Sequence, residues 1–317
     1  MQRDDGFIDY AKQKLGMPYL HLSKRINTFY STILVLDTGQ HLSPQKIVAK
    51  YCRLSKIGEV KEEYQNIVRF HENNKESLIS CPRPIGFDDE RKILFMEYVE
   101  GNNLKRFLLG LRPPKEFSLG ESADLAALGL SQYHKISTCE RGDPLDIDLS
   151  YFGEDIHFAI EEDRIKDRNL DFLVIPFLDY GVWNILISRN HESPGSRATI
   201  IDFPTRHFTF LPHIDLARMR FSLRILKLHP QFRLLGLSWW DIDEFYNTFI
   251  ERYCQEIAID MNATDRKIVD WLDGLYLQRI LSIYARGRHR ARLLLEGAYM
   301  SKPLRKSIAE MMESDIR

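Results

Sequence analysis

At 317 residues, 44% hydrophobic and 28% charged, the chain has room for one large domain or two lobes, and its composition excludes a disordered or fibrous protein. Lys and Arg number 44 against 45 Asp and Glu, so no global charge draws it to nucleic acid or to an anionic membrane, and recognition by charge must be local. Four scattered cysteines (Cys52, Cys81, Cys139, Cys254) suit neither a zinc site nor a disulfide framework. With no apolar run near the roughly 18 residues of a membrane span and no signal-peptide core, they point to a cytoplasmic protein.

In chain order, a short amphipathic helix opens the sequence, and residues 19–52 read as β structure. YLHLSKRI, FYSTILVL and KIVAKYCR are rich in β-branched and aromatic residues, with a turn signal at Asp37-Thr38-Gly39. Residues 59–73 switch to helical period, with Val60, Tyr64, Ile67, Val68 and His71 along one stripe. PRPIGFDDERKILFMEYV then reads as two strands joined at residues 88–91. Gly101-Asn102-Asn103 breaks the pattern, and helix signals dominate afterwards, strongly over 121–137 and from Asp241 onward. FLVIPFLDY and ATIIDF, flanking WNILIS, read as strands within this helical half, while 140–170 is acidic and carries no readable motif. The expected class is α+β: a small β-rich N-lobe over 1–98, a hinge at 99–103, a larger helical C-lobe over 104–317, and a cleft between the lobes.

Asp179-Tyr-Gly-Val-Trp-Asn184 carries the strongest chemical signal. An Asp followed five positions later by Asn, entering an apolar strand, has kinase catalytic-loop spacing. Phosphoryl transfer needs held phosphates, neutralised charge and an acceptor hydroxyl aimed in line. Asp179 is the candidate base. Asn184, and Asp202 of Ile200-Ile201-Asp202-Phe203, are candidate oxygen ligands for magnesium. Either motif alone reads equally as turn and cap residues; their order and flanking strands carry the functional reading.

LDYGVWNILI, then ATIIDF, then HIDLARM resembles the aminoglycoside phosphotransferase and choline kinase-like family, which has the two-lobed protein kinase-like fold. The resemblance covers roughly residues 45–255. It implies ATP and magnesium as cofactors and a small-molecule acceptor such as a sugar, amino sugar, amino alcohol or aminoglycoside, with neither nucleic acid nor membrane as partner. It makes Asp215 a structural acid that steadies the catalytic loop, and Lys50, in Val48-Ala49-Lys50, the phosphate-holding lysine. The partner of Lys50 is then Glu63, with Glu62 and Glu59 as alternatives. Glu97 and Val99 would offer backbone groups to adenine, and Val48 and Leu186 would sandwich its ring. His134, in the helix preceding the loop, reads as a satisfied core histidine.

The chain departs from the family where Phe177-Leu178 replaces His-Gly before the catalytic Asp. The SKRINTFYS stretch (23–31) also lacks the glycines of a phosphate-covering loop, leaving Ser23, Asn27, Thr28 or Ser31 to supply contacts. Pro204 after Phe203 and the missing activation segment count against a protein kinase. The competing reading is a pseudoenzyme of the same fold, binding nucleotide or partners without transfer. The C-terminal aromatics Trp239, Trp240, Trp271, Tyr246, Tyr276 and Tyr284 are either core or acceptor wall. Arg288 and Arg292, in a long helix over 277–297, either pair with carboxylates or hold an anionic group of the acceptor.

Overall fold

The computed structural model describes residues 2–27, 31–39, 44–52, 57–110, 117–139, 173–189, 196–204, 210–228, 232 and 239–286, with side chains in the last segment to 280. The chain is α+β and divides into two compact units. One comprises Met1–Gly101 with Thr199–His207, the other Asn102–Ala198 with Phe208–Arg317.

The first unit is built on a five-stranded antiparallel sheet in the order β1-β2-β3-β6-β5, with β1 His21–Asn27, β2 Ser31–Asp37, β3 Lys46–Cys52, β5 Pro84–Asp88 and β6 Ile93–Glu97. The two-residue strand β4, Ile79–Ser80, precedes β5. Leu34, Leu36, Ile47, Ala49, Ile93 and Phe95 form the core, closed by Phe7, Ile8 and Ala11 of helix α1, Gln2–Leu15. Helix α2, Ile57–Asn73, buries Val60, Glu63, Ile67 and Phe70, residues three or four apart on one stripe. A glutamate therefore sits among the apolar residues of that stripe and needs a partner.

In the second unit, α3 Leu104–Leu108 follows the short strand β7, Asn102–Asn103, and α4 spans Leu119–Ser137. Helix α4 starts where Ser118 accepts the amide of Glu121 at 3.0 Å, an N-cap that satisfies one otherwise unpaired donor. Strand β8, Thr138–Cys139, pairs with β9, Leu173–Val174. Strands β10, Ile185–Arg189, and β11, Ser196–Ile200, continue the sheet from β7. Helices α5 His213–Lys227, α6 Ile242–Ile257 and α7 Ala263–Arg286 complete the unit. Among its described residues, the run FLVIPFLDY is strand only at Leu173–Val174. Pro176 has no amide to donate, and Leu178 turns the chain at φ 65°, so the run is buried without being extended.

Helices α5 and α7 meet through charge as well as apolar packing. Arg220 donates to Asp270, and Arg224 Nε lies 3.2 Å from Asp273, which is fully buried. Burial pushes the Asp273 carboxyl up to about 6, against the pull of Arg224 and Arg220 and with the help of Asp270. A carboxyl raised in the folded state favours folding fully below about pH 4, where both states are protonated, and that contribution is lost as pH rises through 6. Urea melts should therefore show wild-type stability falling relative to Asp273→Asn between pH 4 and 7. A pH-independent difference would contradict this assignment.

Candidate active site

Three residues of the first unit converge around one ammonium. Lys50, on β3, donates to Glu63 Oε1 at 2.7 Å and to Asp202 Oδ1, bringing together positions 13 and 152 residues apart in sequence. Glu63 is 1% exposed and Asp202 about half exposed, so the lysine bridges an interior acid and one that reaches solvent. Burial alone would lower the Lys50 pKa, but Asp202 and then Glu63 more than offset it and hold the ammonium above its ordinary range. Burial pushes Glu63 up to about 7, against the attraction of Lys50 and with repulsion from Asp202. Of the two alternatives, Glu62 has no part in this group, and the Glu59 side chain lies outside the described residues.

Asp202 follows β11 and adopts φ 62°, a left-handed conformation that costs a non-glycine residue about 1 kcal/mol. Its neighbours anchor that turn: Phe203 packs on Phe70 at 5.4 Å between ring centroids, and Asn66 donates to the Pro204 carbonyl at 2.9 Å. Val48 is buried on β3 opposite Met96. The Glu97 amide donates to Arg83 O at 2.9 Å, and Val99 lies beyond the end of β6.

In the second unit, the loop from Phe177 to Asn184 is held by Asp215. This carboxylate, fully buried in the first turn of α5, accepts the amides of both Phe177 and Leu178. His134 Nε2 lies 3.0 Å from Asp215 Oδ2, and its Nδ1 lies 2.6 Å from Tyr253 Oη. His134 is thus a satisfied buried histidine, and a continuous polar chain runs from α6 through α4 and α5 to the loop. Phe177 is fully buried and packs edge-on against Tyr133 and Tyr180, with centroids 5.1 and 5.3 Å away. Leu178 adopts the φ 65° that glycine takes without cost, so the loop keeps a glycine-type bend without the glycine. A Cβ at Gly181 would be crowded, 3.1 Å from Ser222 Cβ and 3.2 Å from the Trp183 ring, so a neighbour would have to give by a few tenths of an ångström.

Asp179 leaves this loop with its side chain 47% exposed. The Asn184 side-chain amide donates to Asp179 O at 3.0 Å and to Asp179 Oδ2 at 3.3 Å, which engages its nitrogen with the loop; its oxygen, which takes no part in these bonds, is the atom that could take a cation. Arg218, three residues after Asp215 on α5, donates through Nε to Asp179 Oδ1 at 3.1 Å and also through Nη2. Leu186 is half-buried on β10 opposite Asn103.

Replacing Asp215 by Asn would turn an amide N–H towards one of the two loop amides and remove the charge both receive. The expected cost is about 3 kcal/mol, visible as a lower Tm together with reduced activity. An unchanged Tm would show that the loop holds itself.

Among the candidates read from sequence, Arg288, Arg292 and Thr28 lie outside the described residues, as does the acidic stretch 140–170. Ser31 is buried on β2, and Ser23 and Asn27 lie on β1. Trp240 and Tyr276 are buried, with Trp240 Nε1 donating to Leu108 O at 2.9 Å. Among the described residues no three His, Cys, Asp or Glu side chains form a metal cluster, and no helix is long and apolar enough to cross a membrane. Sequence reasoning passed over Arg218. Its one local signal was its position, a single turn beyond Asp215 and so on the same side of the helix.

No protein-family model matches the sequence, and no curated protein matches it either. Solved structures do. A point mutant of aminoglycoside 2'-phosphotransferase-IIIa in complex with GDP superposes with a TM-score of 0.56 at 13% identity, over 96% of this chain and 98% of that one. The GDP and kanamycin complex of APH(2")-IIIa gives 0.53 at 13% identity, over 96% and 99%. The chain has the protein kinase-like fold of these phosphotransferases. Choline kinase from Cryptosporidium parvum Iowa II matches over 98% of this chain and 95% of its own, at 11% identity and a TM-score of 0.49. The two phosphotransferase matches each cover 96% of this chain, at 13% identity.

Proposed function

We propose that the chain is a phosphotransferase that moves the terminal phosphoryl group of ATP to a hydroxyl of a small molecule, with magnesium. The observation that carries this reading is the buried Lys50 ammonium shared between Glu63 and Asp202. An interior lysine held by an interior acid, with a second carboxylate reaching solvent, suits the binding of a metal-bound polyphosphate. Lys50 would hold the phosphates and Glu63 would fix Lys50. Asp202 and the Asn184 oxygen are hard donors of the kind magnesium takes, one or two to the protein and the rest to phosphate and water. Magnesium, when bound, supplies charge neutralisation at the phosphoryl oxygens. Asp179 would receive the acceptor proton, and Asp215 would keep the loop that presents it in place. Backbone groups of Glu97 and Val99, with Val48 and Leu186, would receive the base.

The fold likeness supports the reading, and the GDP found in two of the similar structures makes GTP the competing donor to test. The Asp179–Arg218 pair favours a second reading, a nucleotide-binding module without transfer, because it occupies one oxygen of the candidate base. ADP and GDP release should be measured with ATP and GTP across sugars, amino sugars, amino alcohols and aminoglycosides, with magnesium and with excess EDTA. Magnesium-dependent, acceptor-dependent release is the expected result. Nucleotide binding with no release on any acceptor would favour the binding module, and full activity in EDTA would contradict the magnesium role.

A further inference from the structure

We propose that Lys24, set on the Lys50 face of the first unit's sheet by a bulge in β1, is a second cation for the polyphosphate chain of the nucleotide. It holds with a side chain what a glycine-rich loop holds with backbone amides. The proposal rests on the phosphotransferase reading and deepens it. Strand register carries the placement. Leu22 lies opposite Leu36 and Lys24 opposite Val35, so two steps along β1 advance the ladder by one and Ser23 is the extra residue. In a regular strand Leu22 and Lys24 would share a face. Leu22 packs with Leu34 and Leu36 into the core that α1 closes, and the bulge turns Lys24 to the opposite face. There Lys24, Val35 and Val48 form one row across β1, β2 and β3, and Ile26, Ile33 and Lys50 form the next.

Helix α2 covers the other side of the same face. It packs over β5, β6 and β3, where its Glu63 meets Lys50. The β1 side carries Ile26 and Lys24, both exposed. Lys24 stands two strands from β3, about 10 Å, and one row from Lys50, about 7 Å along the strand. A chain of phosphates fits between two ammonium groups so spaced, and the four-carbon lysine stem is free to close on it.

Charge asks for such a residue. Lys50 is one cation shared by two carboxylates, Glu63 and Asp202. A magnesium-bound triphosphate is itself anionic, so its arrival calls for further positive charge. The stretch 23–31 holds no glycine to let backbone amides approach the phosphates, which leaves the task to side chains. On the five strands of this sheet the cations are Lys24, Arg25, Lys46 and Lys50. Lys46 pairs with Glu100 at 3.3 Å, and Arg25 donates to Asn27 on the face opposite Lys24. Asp37, the acid of the neighbouring row, lies opposite Lys46 and accepts the Gly39 amide at 3.0 Å. Among the described residues Lys24 takes part in no ion pair, so its charge is open to a ligand.

The test is calorimetric titration of the full chain with ATP, ADP and AMP in magnesium, as wild type, Lys24→Met and Lys24→Arg. Lys24→Met should weaken ATP binding about tenfold or more, the worth of one charge-assisted hydrogen bond, with a smaller loss for ADP and almost none for AMP. Lys24→Arg should keep most of the affinity. Added potassium chloride should cost the wild type more affinity for ATP than it costs Lys24→Met, because the variant has one charge fewer to screen. Lys24 is exposed on an edge strand, so the melting curves should coincide, and Lys24→Gln repeats the titration if Lys24→Met does not fold. Equal ATP affinity in wild type and Lys24→Met, the result for a lysine that only guards a sheet edge, overturns the proposal. So does an equal loss for all three nucleotides. Absence of ATP binding to the wild type overturns the phosphotransferase reading itself, and this proposal with it.

Discussion

Asp179→Asn should lower turnover about 10²–10⁴-fold and leave nucleotide affinity nearly unchanged. Asparagine keeps the size of the side chain and one accepting oxygen, so it can still accept from Arg218 or from Asn184, and the loop amides held by Asp215 are untouched. What it loses is the ability to take a proton. The variant also takes the Asp179 charge away from the Arg218 guanidinium, which adds a change in local charge to the loss of the candidate base. Initial rates with saturating magnesium-ATP, together with a nucleotide titration, separate the two quantities. A variant retaining more than a tenth of the wild-type rate would remove Asp179 from the role of base.

The second large effect concerns Asp202. Its replacement by Ala should weaken magnesium-nucleotide binding about 100-fold or more, because the proposed metal ligand and one partner of Lys50 would disappear together. The fold should survive, since Lys50 keeps Glu63 and Asp202 is half exposed. Lys50→Ala makes the instructive contrast. It leaves the Glu63 carboxylate buried without its cation, a change that costs about 3–5 kcal/mol in buried pairs. Asp202→Ala is therefore expected to separate binding from stability, whereas Lys50→Ala loses both. Wild-type affinity in Asp202→Ala, measured by titration calorimetry, would remove Asp202 from the metal site.

The fold was legible wherever side-chain period reports burial. The stripe through Val60, Tyr64, Ile67, Val68 and His71 marks the inner face of α2 only in part, since Val60 and Ile67 are buried, Tyr64 and Val68 half-buried and His71 exposed, while the β-branched and aromatic runs mark the sheet that α1 and α2 cover. It was less legible at 172–180, because an apolar run shows that a segment is buried without showing that it is extended. Pro176 and the bend at Leu178 decide otherwise there. Glu63 could be separated from Glu62 by helical phase, since only one of two adjacent residues can share a stripe with Ile67 and Phe70. The pairing of Arg218 with Asp179 spans 39 residues and that of His134 with Asp215 spans 81, and no local pattern encodes either. Leu178 was read as a departure from a His-Gly pair. The structure adds why glycine suits that position: the backbone there is left-handed.

The most direct test of the account is an equilibrium titration of the full chain with ATP in magnesium, repeated in excess EDTA and with Asp202→Ala. A single site should saturate with magnesium-ATP, weaken strongly in EDTA and be nearly lost in the variant. Binding of equal strength under all three conditions, or none with magnesium present, would contradict it.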